Sequence, residues 1–178
     1  YLSTTNTVIS DNLIQGSNVG IYVPFFAAYT MITNNAISDN TKAGIMFLSI
    51  RSTISYNIIE NSSIGLSLRS DGFYNTISHN TFSSNSVGIQ TIGTASNSYT
   101  ENNFIKNTIH ATFFNYVPFY LEPDEYERDL WDNNYWDNWK INLPKPILGL
   151  QAIIVYVGII PFCFFDKNPA SEPFDMEA

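Results

Sequence analysis

Residues 77–89 read ISHNTFSSNSVGI, and the same pattern returns along the chain. Its first asparagine, Asn80, belongs to the series Asn12, Asn35, Asn57, Asn80 and Asn102, with steps of 23, 22, 23 and 22 residues. Three residues before each asparagine stand Ile9, Ile32, Ile54, Ile77 and Tyr99, and two after it Ile14, Ile37, Ile59, Phe82 and Phe104. A second polar column follows in Ser17, Asn40, Ser62, Asn85 and Asn107. A glycine column, Gly20, Gly44, Gly65 and Gly88, ends in His110. A fixed period of this length is the mark of a solenoid.

Short apolar alternations broken by polar residues and glycine are strands rather than helices. One repeat has a contour of about 75 Å at ~3.3 Å per residue, enough for three short strands and three corners. Each strand then pairs in parallel with its equivalent one coil on, about 4.8 Å away. The reading is an all-β, right-handed parallel β-helix of about five coils of 22–23 residues, right-handedness being the strong default for parallel crossovers. Coils occupy residues 1–115, and residues 116–178 form an aromatic-rich cap of the same domain, with Trp131, Tyr135, Trp136 and Trp139 sealing the last coil. Stacked asparagine amides bond along the axis as a ladder. Asn57→Ala is therefore expected to cost more than Asn75→Ala, Asn75 lying outside that column. A β-propeller has longer repeats and a leucine-rich repeat has a leucine consensus, and neither pattern is present.

The net charge of −8 and a pI near 4.5 argue against nucleic acid as a partner. Cys163 is the sole cysteine, which excludes an internal disulfide. The uncharged run Ile147–Phe165 has the length of a membrane span, but Gly149, Gln151, Gly158, Pro161 and the β-branched Ile153–Val157 stretch favour buried strand and loop over an anchor. No signal peptide is visible, and Tyr1–Asn6 is too short to cap the first coil. An open rim of strand edges invites pairing. The first coil is thus expected to be covered from outside a single copy, by earlier coils of a longer protein or by neighbouring molecules stacked end to end into a filament.

Candidate chemistry is sparse. The coil acids Asp11, Asp39, Glu60, Asp71 and Glu101 form no obvious pair of the kind glycoside hydrolysis needs, although Asp39 and Glu60 lie on neighbouring coils. The acidic stretch EPDEYERDLWDNNYWD offers a calcium site near Asp124, Asp129 and Asp132, or else a solvated loop. His79 and His110 fall in different columns, so they are not expected to share a metal ion, and no cofactor is expected. Asn61-Ser62-Ser63 is a glycosylation sequon beside the second polar column, where Asn61 is expected to be partly buried. The corner after the glycine strand gathers Phe25, Phe26, Tyr29, Arg51, Arg69, Asp71, Phe73 and Tyr74. Of these Tyr29, Arg51, Arg69, Asp71 and Tyr74 are the expected ligand-binding residues; covering the solenoid's edge is the alternative role.

The phrase from Ile77 to Ile89, with ENNFIKNTIHA and DNNYWDNW further on, resembles the repeats and terminal element of NosD-type and archaeal surface-protein β-helices, a group that includes carbohydrate-binding and sugar-hydrolysing proteins. The resemblance spans Thr7 to about Trp139. It implies a parallel β-helix outside the cytoplasm or at the cell surface. A copper role would need clustered soft or imidazole ligands, which His79, His110, Cys163 and three methionines do not offer by spacing. The function expected is structural, adhesive or glycan-binding, with a polysaccharide lyase, epimerase or hydrolase as the alternative.

Overall fold

The computed structural model describes residues 5–69, 72–117, 128–153 and 158–175. The first coil comprises β1 (Val8–Ser10), β2 (Leu13–Gln15) and β3 (Val19–Val23), and the second β4 (Met31–Thr33), β5 (Ala36–Ser38) and β6 (Ala43–Phe47). The third holds β7 (Thr53–Ser55), β8 (Ile58–Glu60) and β9 (Ile64–Arg69), and the fourth β10 (Thr76–Ser78), β11 (Thr81–Ser83) and β12 (Val87–Ile92). The fifth holds β13 (Ser98–Thr100), β14 (Asn103–Ile105) and β15 (Ile109–Val117). All neighbouring coils pair in parallel, Ile32 with Ile54 and Ile54 with Ile77, Ile37 with Ile59 and Ile59 with Phe82. The chain is a parallel β-helix.

Residue 115 falls inside β15, and the segment after it first extends the solenoid. β16 (Leu130–Asp132), β17 (Tyr135–Trp136) and β18 (Lys145–Ile153) stack on β13, β14 and β15 as a sixth turn. Among the described strands only β19 (Gly158–Asp166) leaves the helical path: it turns back antiparallel to β18 and meets β16 through Trp131 and Asp166. The described part of Ile147–Phe165 is thus strand. Ile147 and Phe164 are buried while Leu148, Leu150, Ile159, Ile160 and Phe165 are exposed. No helix among the described residues is long and apolar enough to cross a membrane.

Inward-facing columns fill the core. Ile32, Ile54 and Ile77 lead to Tyr99 and Trp131; Ile37 and Ile59 lead to Phe82, Phe104 and Trp136. Tyr99 stacks on Trp131 with centroids 4.0 Å apart, and Phe104 on Trp136 at 4.2 Å. Trp131 and Trp136 are therefore the last rungs of the interior columns, not an external plug. Each buried side chain of this size contributes roughly 1.5–3 kcal/mol. At the opposite end Ile9 and Ile14 are only partly buried, because no strand among the described residues lies beneath the first coil.

The corners obey one rule. The residue just before each ladder position adopts left-handed backbone, as at Asp11, Asn34, Tyr56, His79, Glu101 and Asn133. The next residue turns its side chain inward. Along the asparagine column each backbone N–H and Nδ2 donates to Oδ1 of the asparagine one coil on, at 2.9–3.1 Å, and the column continues from Asn102 to Asn134. The second polar column behaves likewise, with the Asn85 N–H and Nδ2 both donating to Asn107 Oδ1. The glycines that follow it leave no space for a side chain: a Cβ on Gly65 would stand 2.6 Å from the Gly88 carbonyl oxygen.

A third ladder corrects the expectation about Asn75. Thr30, Ser52, Asn75, Asn97 and Asp129 are linked by the same bonds, and Asn75 is as buried as Asn57. Its Nδ2 reaches the Ser49 carbonyl and Asn97 Oδ1. Alanine at either position strands buried donors and acceptors, so both variants are expected to lose similar stability, about 2–3 kcal/mol. Denaturant midpoints of Asn57→Ala and Asn75→Ala that differ widely would contradict this.

Candidate functional site

The corner between the glycine strand of one coil and the first strand of the next carries the left-handed residues Tyr29, Arg51, Tyr74 and Ser96, one per coil. Successive coils lie about 4.8 Å apart, so Tyr29 and Tyr74 stand roughly 10 Å apart with Arg51 between them. Backbone bonds hold the register: the Tyr29 N–H donates to Ile50 O and the Arg51 N–H to Phe73 O. The Arg51 guanidinium lies over the Tyr74 ring, 5.6 Å from its centroid. Phe26, also left-handed, meets Phe25 edge to face at 4.0 Å.

The exposure of these rings is the informative feature. Phe26 is 67% exposed, Tyr29 52% and Tyr74 56%. Left-handed backbone favours Gly, Asn or Asp, so large aromatics here gain nothing from the local conformation. They also leave apolar surface in water. Arg69 stands apart from this column at the end of β9, where its Nε donates to Ser67 Oγ at 3.0 Å. Asp71 lies outside the described residues. The corner thus brings together Tyr29, Arg51 and Tyr74, flanked by Phe25 and Phe26.

A second surface column, in which the sequence aligns Asp11 with Glu101, also carries His79. His79 stacks on Tyr56 with centroids 4.8 Å apart, and its Nε2 lies 2.9 Å from Glu101 Oε2. Asp11 and Glu101 belong to this column, with three coils between them. The shared left-handed position one residue before each ladder asparagine is the signal that would have added His79 and Tyr56 to it. Asp39 and Glu60 meet through backbone only, the Asp39 N–H donating to Glu60 O, while their carboxyl groups accept from Ser38 and Ser83. Asn61 is exposed rather than partly buried, at the open corner between β8 and β9, beside Asp39 and Ser84.

Two of the three expected calcium residues are described. Asp129 Oδ1 ends the third ladder and Asp132 Oδ1 accepts from Asn168 Nδ2 at 2.8 Å. Asp124 lies outside the described residues. Trp139 donates its indole N–H to Leu143 O, and the Tyr135 hydroxyl accepts from Lys140 Nζ. No group of three His, Cys, Asp or Glu side chains that could hold a metal ion occurs among the described residues. His110 is consumed structurally: Nε2 lies 2.8 Å from Asp137 Oδ1 and Nδ1 faces Asn107 Nδ2. Burial holds its pKa below the usual imidazole value, against the opposing pull of Asp137.

Comparison with solved structures places the crystal structure of the periplasmic alginate epimerase AlgG alongside this fold, with a TM-score of 0.58 and 16% sequence identity over 75% of this chain. The match covers 33% of that protein, so this chain spans about a third of its length. No curated protein matches in sequence. The family model described as periplasmic copper-binding protein (NosD) matches residues 1–140. The described residues offer copper no set of imidazole or sulfur ligands, since His79 pairs with Glu101, His110 with Asp137, and Cys163 sits on β19. With the coil repeat matched over most of its length, the chain belongs to the NosD family of parallel β-helix proteins.

Proposed function

We propose that this is a non-catalytic glycan-binding β-helix that works outside the cytoplasm, in the periplasm or at the cell surface. The observation that carries the reading is the Tyr29–Arg51–Tyr74 corner, where exposed rings flank a guanidinium on a rigid scaffold. A sugar ring offers apolar C–H faces to aromatics and hydroxyls to a donor fork such as Arg51. The family's description as periplasmic supports a place outside the cytoplasm. Immobilised glycans probed with wild type and with the double variant Tyr29→Ala, Tyr74→Ala test the proposal. Loss of two aromatic platforms should weaken binding roughly tenfold or more. Tyr22→Ala, at an exposed position on the outer face of β3, should bind as wild type. Absence of any glycan binding, or equal binding by all three proteins, would refute it.

The His79–Glu101 pair favours a second reading, sugar modification, because an accessible imidazole oriented by a carboxylate can act as a general base. The same glycans assayed for altered products distinguish the two: turnover abolished by His79→Gln would replace binding with catalysis as the function.

A further inference from the structure

The sixth turn borders a cavity of about 310 Å³ whose lining includes Ile109, His110, Trp136, Asn138, Lys145 and Leu148. The Lys145 ammonium lies 4.8 Å from the Trp139 ring centroid and 5.9 Å from that of Trp136. The ion pairs among the described residues are His79–Glu101 and His110–Asp137, so no carboxylate there stands within ion-pair distance of Lys145. Indole faces attract an ammonium but accept none of its three hydrogen bonds in full. Partial burial lowers the Lys145 pKa, the cost of withdrawing a cation from water.

The neighbouring groups cannot meet that need. His110 uses Nε2 on Asp137 and turns Nδ1 to Asn107. Asp137 spends its second oxygen on the Lys106 backbone N–H. What remains is a small concave space with one cation that has no acidic partner among the described residues, an amide at Asn138 and apolar walls at Ile109 and Leu148. Its volume suits a ligand of one ring or a short chain. We infer that this cavity binds a small organic carboxylate, with the carboxyl on the Lys145 ammonium and the body against Ile109 and Leu148. The site lies at the closed end of the solenoid and does not depend on the aromatic corner.

Intrinsic tryptophan fluorescence tests this directly, because Trp136 and Trp139 flank the ammonium. The full chain is titrated with sodium glucuronate, sodium butyrate and neutral glucose. A saturable change with one or both carboxylates and none with glucose is expected, and the pair of acids tells a sugar acid from an aliphatic one. Lys145→Met should keep the far-UV spectrum of the fold and bind at least tenfold more weakly. Leu148→Glu, at an exposed position, sets a negative charge at the mouth and should weaken binding in the same direction. The corner variant Tyr29→Ala, Tyr74→Ala should bind the carboxylate normally. No saturable change with either acid, an equal response to glucose, or undiminished binding by both Lys145→Met and Leu148→Glu would overturn the inference.

Discussion

Replacing Asp166 by alanine is expected to lower the unfolding free energy by roughly 3–5 kcal/mol, among the largest effects a single substitution produces. Asp166 is completely buried and closes the longest ladder. Its Oδ2 accepts from the Asn134 backbone N–H at 2.9 Å, from Asn134 Nδ2 at 3.0 Å and from the Trp136 indole N–H at 2.9 Å. Alanine leaves the Asn134 N–H and the Trp136 indole N–H without an acceptor, while Asn134 Nδ2 keeps the Tyr99 and Asp132 carbonyls, and it opens a void under β19. Each stranded donor costs about 1–3 kcal/mol, with some relief as the chain relaxes. Asp166→Asn separates the hydrogen bonds from packing. Its amide oxygen can take the place of Oδ2, but its NH₂ group then faces the Asn168 N–H that now donates to Oδ1. The asparagine variant should therefore fall between wild type and alanine. Urea unfolding of the three proteins checks the order; an alanine variant within 1 kcal/mol of wild type, on the scale of a surface change, would show that the ladder end carries little.

The chemistry of a ladder explains why acids end two of the three. A ladder asparagine both donates, through N–H and Nδ2, and accepts, through Oδ1. Where no further coil follows in that column, an acceptor-only side chain stops the series without stranding an amide hydrogen. Asp166 does this for one ladder and Asp129 for another. The remaining ladder stops at Asn107, whose Nδ2 meets His110 Nδ1.

The repeat was legible in the sequence because stacking demands like residues in like places. Ile32, Ile54 and Ile77 recur for that reason, and so do Asn35, Asn57 and Asn80. The third ladder was not, because Thr30, Ser52, Asn75, Asn97 and Asp129 perform one task with four residue types, and a column of identical residues is what the eye follows. Asn134 was within reach: Asn134-Tyr135-Trp136 repeats the spacing of Asn102-Asn103-Phe104, displaced by 32 residues instead of 22 or 23. Asp166 was beyond reach, since it arrives on an antiparallel hairpin outside the period. The aromatic corner was visible as a composition, but only the fold separates Arg69 from Arg51 and Tyr74. The Lys145 cavity has no sequence signature, being formed where β18 lies over β15 beside Trp136.

Asp129→Asn is expected to gain about 3 kcal/mol of stability relative to wild type between pH 4 and neutral pH. Asp129 is buried, and that burial is the main cause lifting its pKa from 3.8 to about 6, against the lowering effect of the Asn97 and Thr94 bonds. The nearby Tyr99 phenol feels the same environment, its pKa raised first by burial and then by the Asp129 charge. A carboxyl whose folded pKa exceeds its unfolded value binds its proton more tightly when folded. Stability therefore falls as pH rises from about 4 to about 6, and the full penalty persists above that. Asparagine removes the ionisation and keeps the oxygen that accepts from the Asn97 N–H and Nδ2 at 3.0 and 3.1 Å. Its amide adds one donor of the kind Asn97 directs to the Gly72 carbonyl one coil earlier, and the cost of its second amide hydrogen is the same at both pH values. Other carboxyl groups give the wild type its own pH slope, so the quantity to measure is the difference between variant and wild type in urea unfolding at pH 4 and at pH 7.5. That difference should grow with pH in favour of asparagine. A difference equal at the two pH values would mean that Asp129 ionises in the fold as readily as in the unfolded chain, and a difference that shifts against asparagine as pH rises would mean that the third ladder needs its terminal charge.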